Sequence, residues 1–217
     1  SEAPEDLIPQ FPVIRKATEA FNIPYVELMG YEADDLIASY SRAAQKENMK
    51  VTIVSSDKDL MQLVSDNVSM LDTMKNKIVQ KEEVYEKFGV YPEKVIDVQS
   101  LAGDSVDNIP GVPGIGIKTA ALLINEYGNL DGLFKNSEKI KQKKRRENII
   151  EFEEQAYLSK KLVTLRDDVP LPIPIQETTL KDIDANKLIS FLKEMEFRTL
   201  TDKKSKELSI DSDTCLL

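Results

Sequence analysis

Gly103-Asp104-Ser105-Val106-Asp107-Asn108-Ile109-Pro110, running on as GVPGIGIKTA over residues 111–120, decides how this chain is read. Asp104 and Asp107 lie three residues apart, a spacing that on a helix puts two carboxylates on one face, where they can grip one divalent cation. A glycine-rich turn opening a helix follows directly, and such a turn offers backbone N–H groups to a phosphate. A metal site beside a phosphate cradle points to phosphodiester hydrolysis.

Two further acidic clusters lie upstream. GYEADDLIA, residues 30–38, supplies Glu32, Asp34 and Asp35 after an expected short strand. SSDKDL, residues 55–60, supplies Asp57 and Asp59 at the end of the β-branched run MKVTIVSS. Acids at helix starts also serve as caps and as partners of the helix dipole, and that reading suffices for the first cluster taken alone. It does not explain both acids of the second. Seven carboxylates held together would repel one another without bound cations, so jointly the clusters favour metal binding.

The glycine turn fails the Walker A spacing, because Ile117 separates Gly116 from Lys118. It matches instead a helix-hairpin-helix turn, in which N–H groups at the start of the second helix meet DNA phosphates without reading sequence. Gly114 and Gly116 allow close backbone approach, while Lys118 and Thr119 can add phosphate contacts. A plain helix cap would explain one glycine but not the whole pattern. The basic run KIKQKKRREN, residues 139–148, holds Lys143, Lys144, Arg145 and Arg146; it reads equally as a solvated face or as a contact to the phosphate backbone.

Composition narrows the chemistry. There is no histidine, which removes histidine triads, histidine-bound zinc and histidine acid–base catalysis. Carboxylates, lysine or arginine, and oxygen-bound magnesium or manganese remain. The net charge of −9 argues against nucleic acid at first sight, yet clustered acids that bind cations and a separate basic run weaken that objection. No apolar run is long enough to span a bilayer and no signal peptide opens the chain; with the single Cys215 precluding an intrachain disulfide, a reducing cytoplasm is the expected compartment.

Periodicity predicts alternating α/β units. Pro4, Glu5 and Asp6 suit a helix start, and Phe11, Ile14, Ala17, Thr18 and Phe21 form a helical stripe ending near Asn22. Strands are expected at 24–29, 49–56, 68–72 and 77–80, with helices over 32–48 and 57–65 between them. From Glu82 onward the reading is mainly helical. VPLPIPIQ at 169–176 is an extended connector, and a last helix spans 184–196. Residues 1–100 are expected to form a partial α/β catalytic domain, 101–200 a helical DNA-binding subdomain and 201–217 a linker or tail.

GYEADDLIA, SSDKDLMQL and GDSVDNIPGVPGIGIKTA, in that order, resemble the 5′-nuclease domain of bacterial DNA polymerase I, a branch of the flap-endonuclease superfamily. APEDLIPQFPVI near the start and LISFLKEMEFRTL near the end extend the likeness over almost residues 1–200. The resemblance implies a PIN/Rossmann-like α/β layered sheet followed by a helix-hairpin-helix subdomain, and removal of 5′ flaps and RNA primers from flapped or nicked DNA duplex. Glu32, Asp34, Asp35, Asp57, Asp59, Asp104 and Asp107 would then form or support a cluster for two Mg2+ or Mn2+ ions, with Asp35, Asp57 and Asp104 in catalytic roles. Gly114, Gly116 and Lys118 would grip duplex, with a K+ at the turn, and a polymerase domain would accompany the nuclease in cis. The family pattern begins with aspartates on two earlier strands and a basic arch, which have no counterpart here. A truncated sheet and weak or absent cleavage by this chain alone are therefore expected. A non-catalytic duplex-binding module and an unrelated magnesium phosphohydrolase are the alternatives, the latter without an Asp-x-Asp-x-Thr strand to support it.

Overall fold

The computed structural model describes residues 4–209, so Cys215 and the end of the expected tail lie outside the described residues. Leu7 N–H donates to Pro4 O (2.9 Å) in an opening turn, so no helix begins at Pro4. A short 3-10 stretch, Ile8–Gln10, leads instead into helix α1, Phe11–Ala20. Asn22, in the left-handed region at φ 55°, stops it. Residues 24–29 form no strand, although β-branched and apolar residues there predict one. A strand needs a ladder partner, and none pairs with this segment among the described residues.

The described residues fall into two units, residues 30–171 and residues 4–29 with 172–209. The first unit opens with helix α2, Ala33–Lys46, whose first turn carries Asp34 and Asp35 and whose last turn carries Lys46, both in accord with the helix dipole. Strand β1, Val51–Val54, pairs in parallel with β2, Val68–Asp72, and β2 pairs antiparallel with β3, Lys77–Val79. The Asp72 carboxylate accepts from Met74 and Lys75 N–H (3.0 and 3.2 Å), which closes the β2–β3 turn.

Helix α3, Lys81–Phe88, starts where the Glu83 carboxylate accepts from Gln80 N–H (2.8 Å) and stops at Gly89. Helix α4, Val95–Ala102, is the spine of this unit. Its Val95, Val98 and Leu101 are fully buried, each stabilising the fold by roughly 1.5–3 kcal/mol. It packs on α5, Ile117–Tyr127, and, beyond α6 (Leu130–Lys135) and α7 (Lys143–Glu151), on α8, Glu153–Val163. Buried Asp97 of α4 is ion-paired with Lys160 of α8 at 2.8 Å.

The second unit packs α1 on helix α9, Ala185–Glu194, which in turn packs on α10, Arg198–Glu207. The α9 start is capped by Asp184, which accepts from Lys187 N–H at 3.1 Å. Helix α10 corrects the expectation of a linker from residue 201. Its buried residues are Thr201 and Ser205, small polar side chains that leave no apolar stripe in the sequence.

Candidate metal centre and phosphate hairpin

Two loop segments and the first turn of α2 converge around the end of α4. The helix stops at Gly103 (φ 68°), and the next residues close on themselves rather than continuing helically. Asp104 N–H donates to Ile109 O (2.9 Å) and Ile109 N–H returns to Asp104 O (2.7 Å). Asp104 and Asp107 therefore share a side of a closed turn, not a helix face. Two glycines permit it. An added Cβ on Gly103 would stand 2.6 Å from Ile109 O, and one on Gly111 2.4 Å from Gly103 N. Helix α8 then clamps Gly111 by both backbone groups: its N–H donates to Ser159 Oγ (3.0 Å) and its carbonyl accepts from Gln155 Nε2 (2.6 Å).

Asp57 and Asp59 follow β1. The Asp57 carboxylate accepts from Asp59 N–H (2.9 Å), an Asx turn that opens the 3-10 segment Asp59–Leu63 where a helix over 57–65 is expected. Carboxylate oxygens of Asp59, Asp104 and Asp107 lie within 4.8 Å of one another. Asp34, in the first turn of α2, joins this field. Burial raises its pKa, and the charges of Asp57, Asp59, Glu32 and Asp35 raise it further. The pKa of Asp59 is also raised, by burial, with Asp57 and Asp107 adding to the rise and a hydrogen bond from Gln99 Nε2 (2.5 Å) opposing it.

Asp104 behaves oppositely. Burial alone would raise its pKa, but the Lys58 ammonium and the Val106 and Asp107 N–H groups hold it below the ordinary carboxylate range. Its Oδ2 is buried, and the Lys58 ammonium is its partner and counter-charge. An all-oxygen donor set, like charges in contact and a lysine as the stand-in cation together fit a hard divalent ion. Asp35 and Glu32 stand differently. Asp35 Oδ1 accepts from Arg166 N–H (2.9 Å), and Glu32 is the exposed N-cap of α2 without a side-chain cap bond.

Three residues at the centre escaped the sequence reading. Lys58 was hidden between two acids, and Gln99 lies among Asp97, Val98 and Ser100 in α4, where nothing in the sequence sets it apart. Lys87 of α3 is the third. Burial, with Lys75 and Lys58, lowers its pKa, while Asp57 and Asp59 oppose the shift, so it lies in the field of the same acids.

The hairpin follows the Asp104–Ile109 turn. Val112 N–H donates to Leu101 O (2.7 Å) and buried Ile115 anchors the loop, while Gly114, Gly116, Ile117 and Lys118 are exposed. Gly116 is the N-cap of α5, nothing lies within 4 Å of where its Cβ would be, and half-buried Thr119 donates its N–H to Gly116 O (2.9 Å). The N–H groups of the first turn are thus presented at an open surface. Helix α7 docks on this turn through Asn148, whose Nδ2 donates to Pro113 O at 2.7 Å. The basic residues divide on α7. Arg146 Nη1 donates to Ile140 O (2.8 Å), a structural bond, and Lys143 faces Glu147 at 3.8 Å. Lys144 and Arg145 make no ion pair among the described residues.

A small mixed sheet with acids at a strand end is followed by a helical subdomain that carries the hairpin. Residues 1–89 match the 5'-3' exonuclease N-terminal resolvase-like domain and residues 90–186 the 5'-3' exonuclease C-terminal SAM fold. The chain is 41% identical to a 5'-3' exonuclease of Aquifex aeolicus, over 92% of this chain and 68% of that protein. It is 55% identical to a DNA polymerase I of Rhizobium leguminosarum over 98% of this chain, and spans 21% of that protein's length. Among solved structures, bacteriophage T5 5'-exonuclease with bound divalent zinc superposes with a TM-score of 0.68 at 25% identity, covering 96% of this chain and 73% of that one. The T5 flap endonuclease in complex with DNA and metal ions gives 0.64 at 24% identity, covering 94% and 66%. The chain belongs to the 5'-3' exonuclease family. No helix among the described residues is long and apolar enough to cross a membrane.

Proposed function

We propose that this chain carries a structure-specific 5′-nuclease site that hydrolyses phosphodiesters at 5′ flaps and nicks in duplex DNA, in the cytoplasm and alongside a polymerase domain in cis. The convergence of Asp59, Asp104 and Asp107 from two separate segments, next to a hairpin with open N–H groups, carries the reading. Asp34, Asp57, Asp59, Asp104 and Asp107 would hold Mg2+ or Mn2+, with Asp35 tying the first turn of α2 to the Arg166 backbone and Glu32 adding charge beside Asp34. When bound, the divalent ions supply an activated water and charge stabilisation at the leaving oxygen. The chain's own part is positional. The first-turn N–H groups of α5, with Lys118 and Thr119, hold a duplex phosphate, and Lys144 and Arg145 extend that hold along the backbone. Carbonyls around Gly114 and Gly116 are the seat for a K+ at the turn. Lys58 balances the acids until a divalent ion takes its place.

The test is incubation of the 217-residue chain with an end-labelled 5′-flap duplex in Mg2+ or Mn2+, with an Asp104→Asn control. Junction cleavage that the control loses supports the reading. Duplex binding that persists in EDTA, without cutting in either metal, assigns the chain to a non-catalytic duplex-binding role instead.

A further inference from the structure

We propose that Gln99 is a positioning residue for Asp59, fixing one carboxylate oxygen so that the other is presented to a divalent cation. The inference rests on the metal-dependent reading above. Gln99 is a buried amide, 3% exposed, in a helix whose Val98, Ser100 and Leu101 are fully buried. Its Nε2 donates to Asp59 Oδ1 at 2.5 Å, a bond from the middle of α4 to the segment after β1. Its Oε1 is buried and accepts nothing among the described residues. Burying an amide with half its polar capacity unmet is costly, and leucine would fill such a core position without that cost. What an apolar side chain could not supply is the N–H to Asp59.

The choice of an amide is also chemically specific. Asp59 lies beside Asp57 and Asp107, whose charges favour any rotamer that turns it away. A lysine would hold it but neutralise the cluster, and a glutamate would add repulsion. A glutamine N–H holds one oxygen without adding charge and without competing for the cation. The helix that carries Gln99 ends two residues before Asp104, so a single rigid element sets the positions of both Asp59 and Asp104.

Mn2+ binding to the 217-residue chain, read from the free-ion EPR signal on titration with MnCl2, tests this. Gln99→Met keeps the volume and removes the donor; it should weaken Mn2+ binding about 10–100-fold, with the urea midpoint unchanged or higher. In an Asp59→Asn background the same change should have no further effect, because Gln99 acts only through that carboxylate. Losses that multiply in the double variant, or unaltered binding by Gln99→Met, overturn the inference. If Gln99→Met does not fold, Gln99→Leu repeats the measurement, and failure of both to fold assigns Gln99 to the core and overturns it too. Wild-type chain that binds no Mn2+ overturns the metal reading and this inference with it, whereas intact binding by Gln99→Met overturns this inference alone.

Discussion

Lys58 and Asp104 form an ion pair between the segment after β1 and the turn after α4, and the Asp104 side chain is only 5% exposed within it. A buried carboxylate must have a counter-charge, and removing one partner costs more than the pair itself contributes. In metal-free protein Lys58→Met should therefore lower stability by about 1–3 kcal/mol. Added Mg2+ should recover much of that loss, so the rise in melting temperature between EDTA and Mg2+ should be larger in the variant than in wild type. Equal rises in the two proteins would mean that Lys58 and the ion do not share a seat.

The acids around this pair titrate in opposite senses. Asp34 and Asp59 have raised pKa values in the folded chain, so their stabilising contribution is full below the unfolded carboxylate pKa and is lost as pH rises through the folded value. Asp104, held low, contributes above the unfolded pKa and loses that contribution as pH falls through its folded value. In EDTA, Asp59→Asn should match wild type near pH 4 and melt higher near pH 7, by roughly 2 °C given how exposed the site is. Asparagine keeps an oxygen to accept from Gln99. A variant that melts lower at neutral pH would show that the acids are not in repulsive contact without metal.

Glycines in the same loop separate stability from binding. At Gly111 an alanine Cβ would meet Gly103 N at 2.4 Å and Gly103 Cα at 2.7 Å, backbone atoms that cannot yield without opening the Asp104–Ile109 turn. Gly111→Ala should lose about 2–4 kcal/mol in urea denaturation. At Gly116 the same methyl meets nothing within 4 Å, so Gly116→Ala should unfold like wild type. Its deficit should appear only in duplex DNA affinity, measured by anisotropy, because the methyl intrudes where a phosphate must approach the first turn of α5. Unchanged affinity would remove Gly116 from the DNA surface.

How much of this was legible in the sequence follows from what each residue had to do. The acid clusters, the hairpin and strands β1 to β3 were visible because fixed spacing and β-branched runs carry them. The closed Asp104–Asp107 turn was not. It depends on Gly103 and Gly111 meeting across the loop, a tertiary contact that leaves only two glycines in the sequence. Helix α10 was missed for a related reason, since Thr201 and Ser205 are buried where an apolar stripe was the signal sought. The segment 24–29 failed in the other direction, with strand-like composition and no strand to pair with among the described residues. Lys58 and Gln99 show the same limit within the site: carboxylates announce a cation, but the residues that hold them in place look ordinary.

The basic run gives the sharpest division between solvated face and DNA contact. Arg146 is committed to Ile140 O and Lys143 faces Glu147, while Lys144 and Arg145 have no ion-pair partner among the described residues. Asn148 ties this helix to Pro113 of the hairpin, so under the proposed function charges on its free side would continue a phosphate surface begun at α5. Each phosphate contact releases condensed counterions, and losing one should reduce the slope of log K against log salt by about 1. Lys144→Ala and Arg145→Ala should each do this in EDTA, where cleavage cannot interfere, with unchanged melting temperature. Arg146→Ala should do the reverse, losing on the order of 1 kcal/mol of stability with little change in slope. If all three variants share one salt slope with wild type, the run is a solvated helix face and the duplex is held by the hairpin alone.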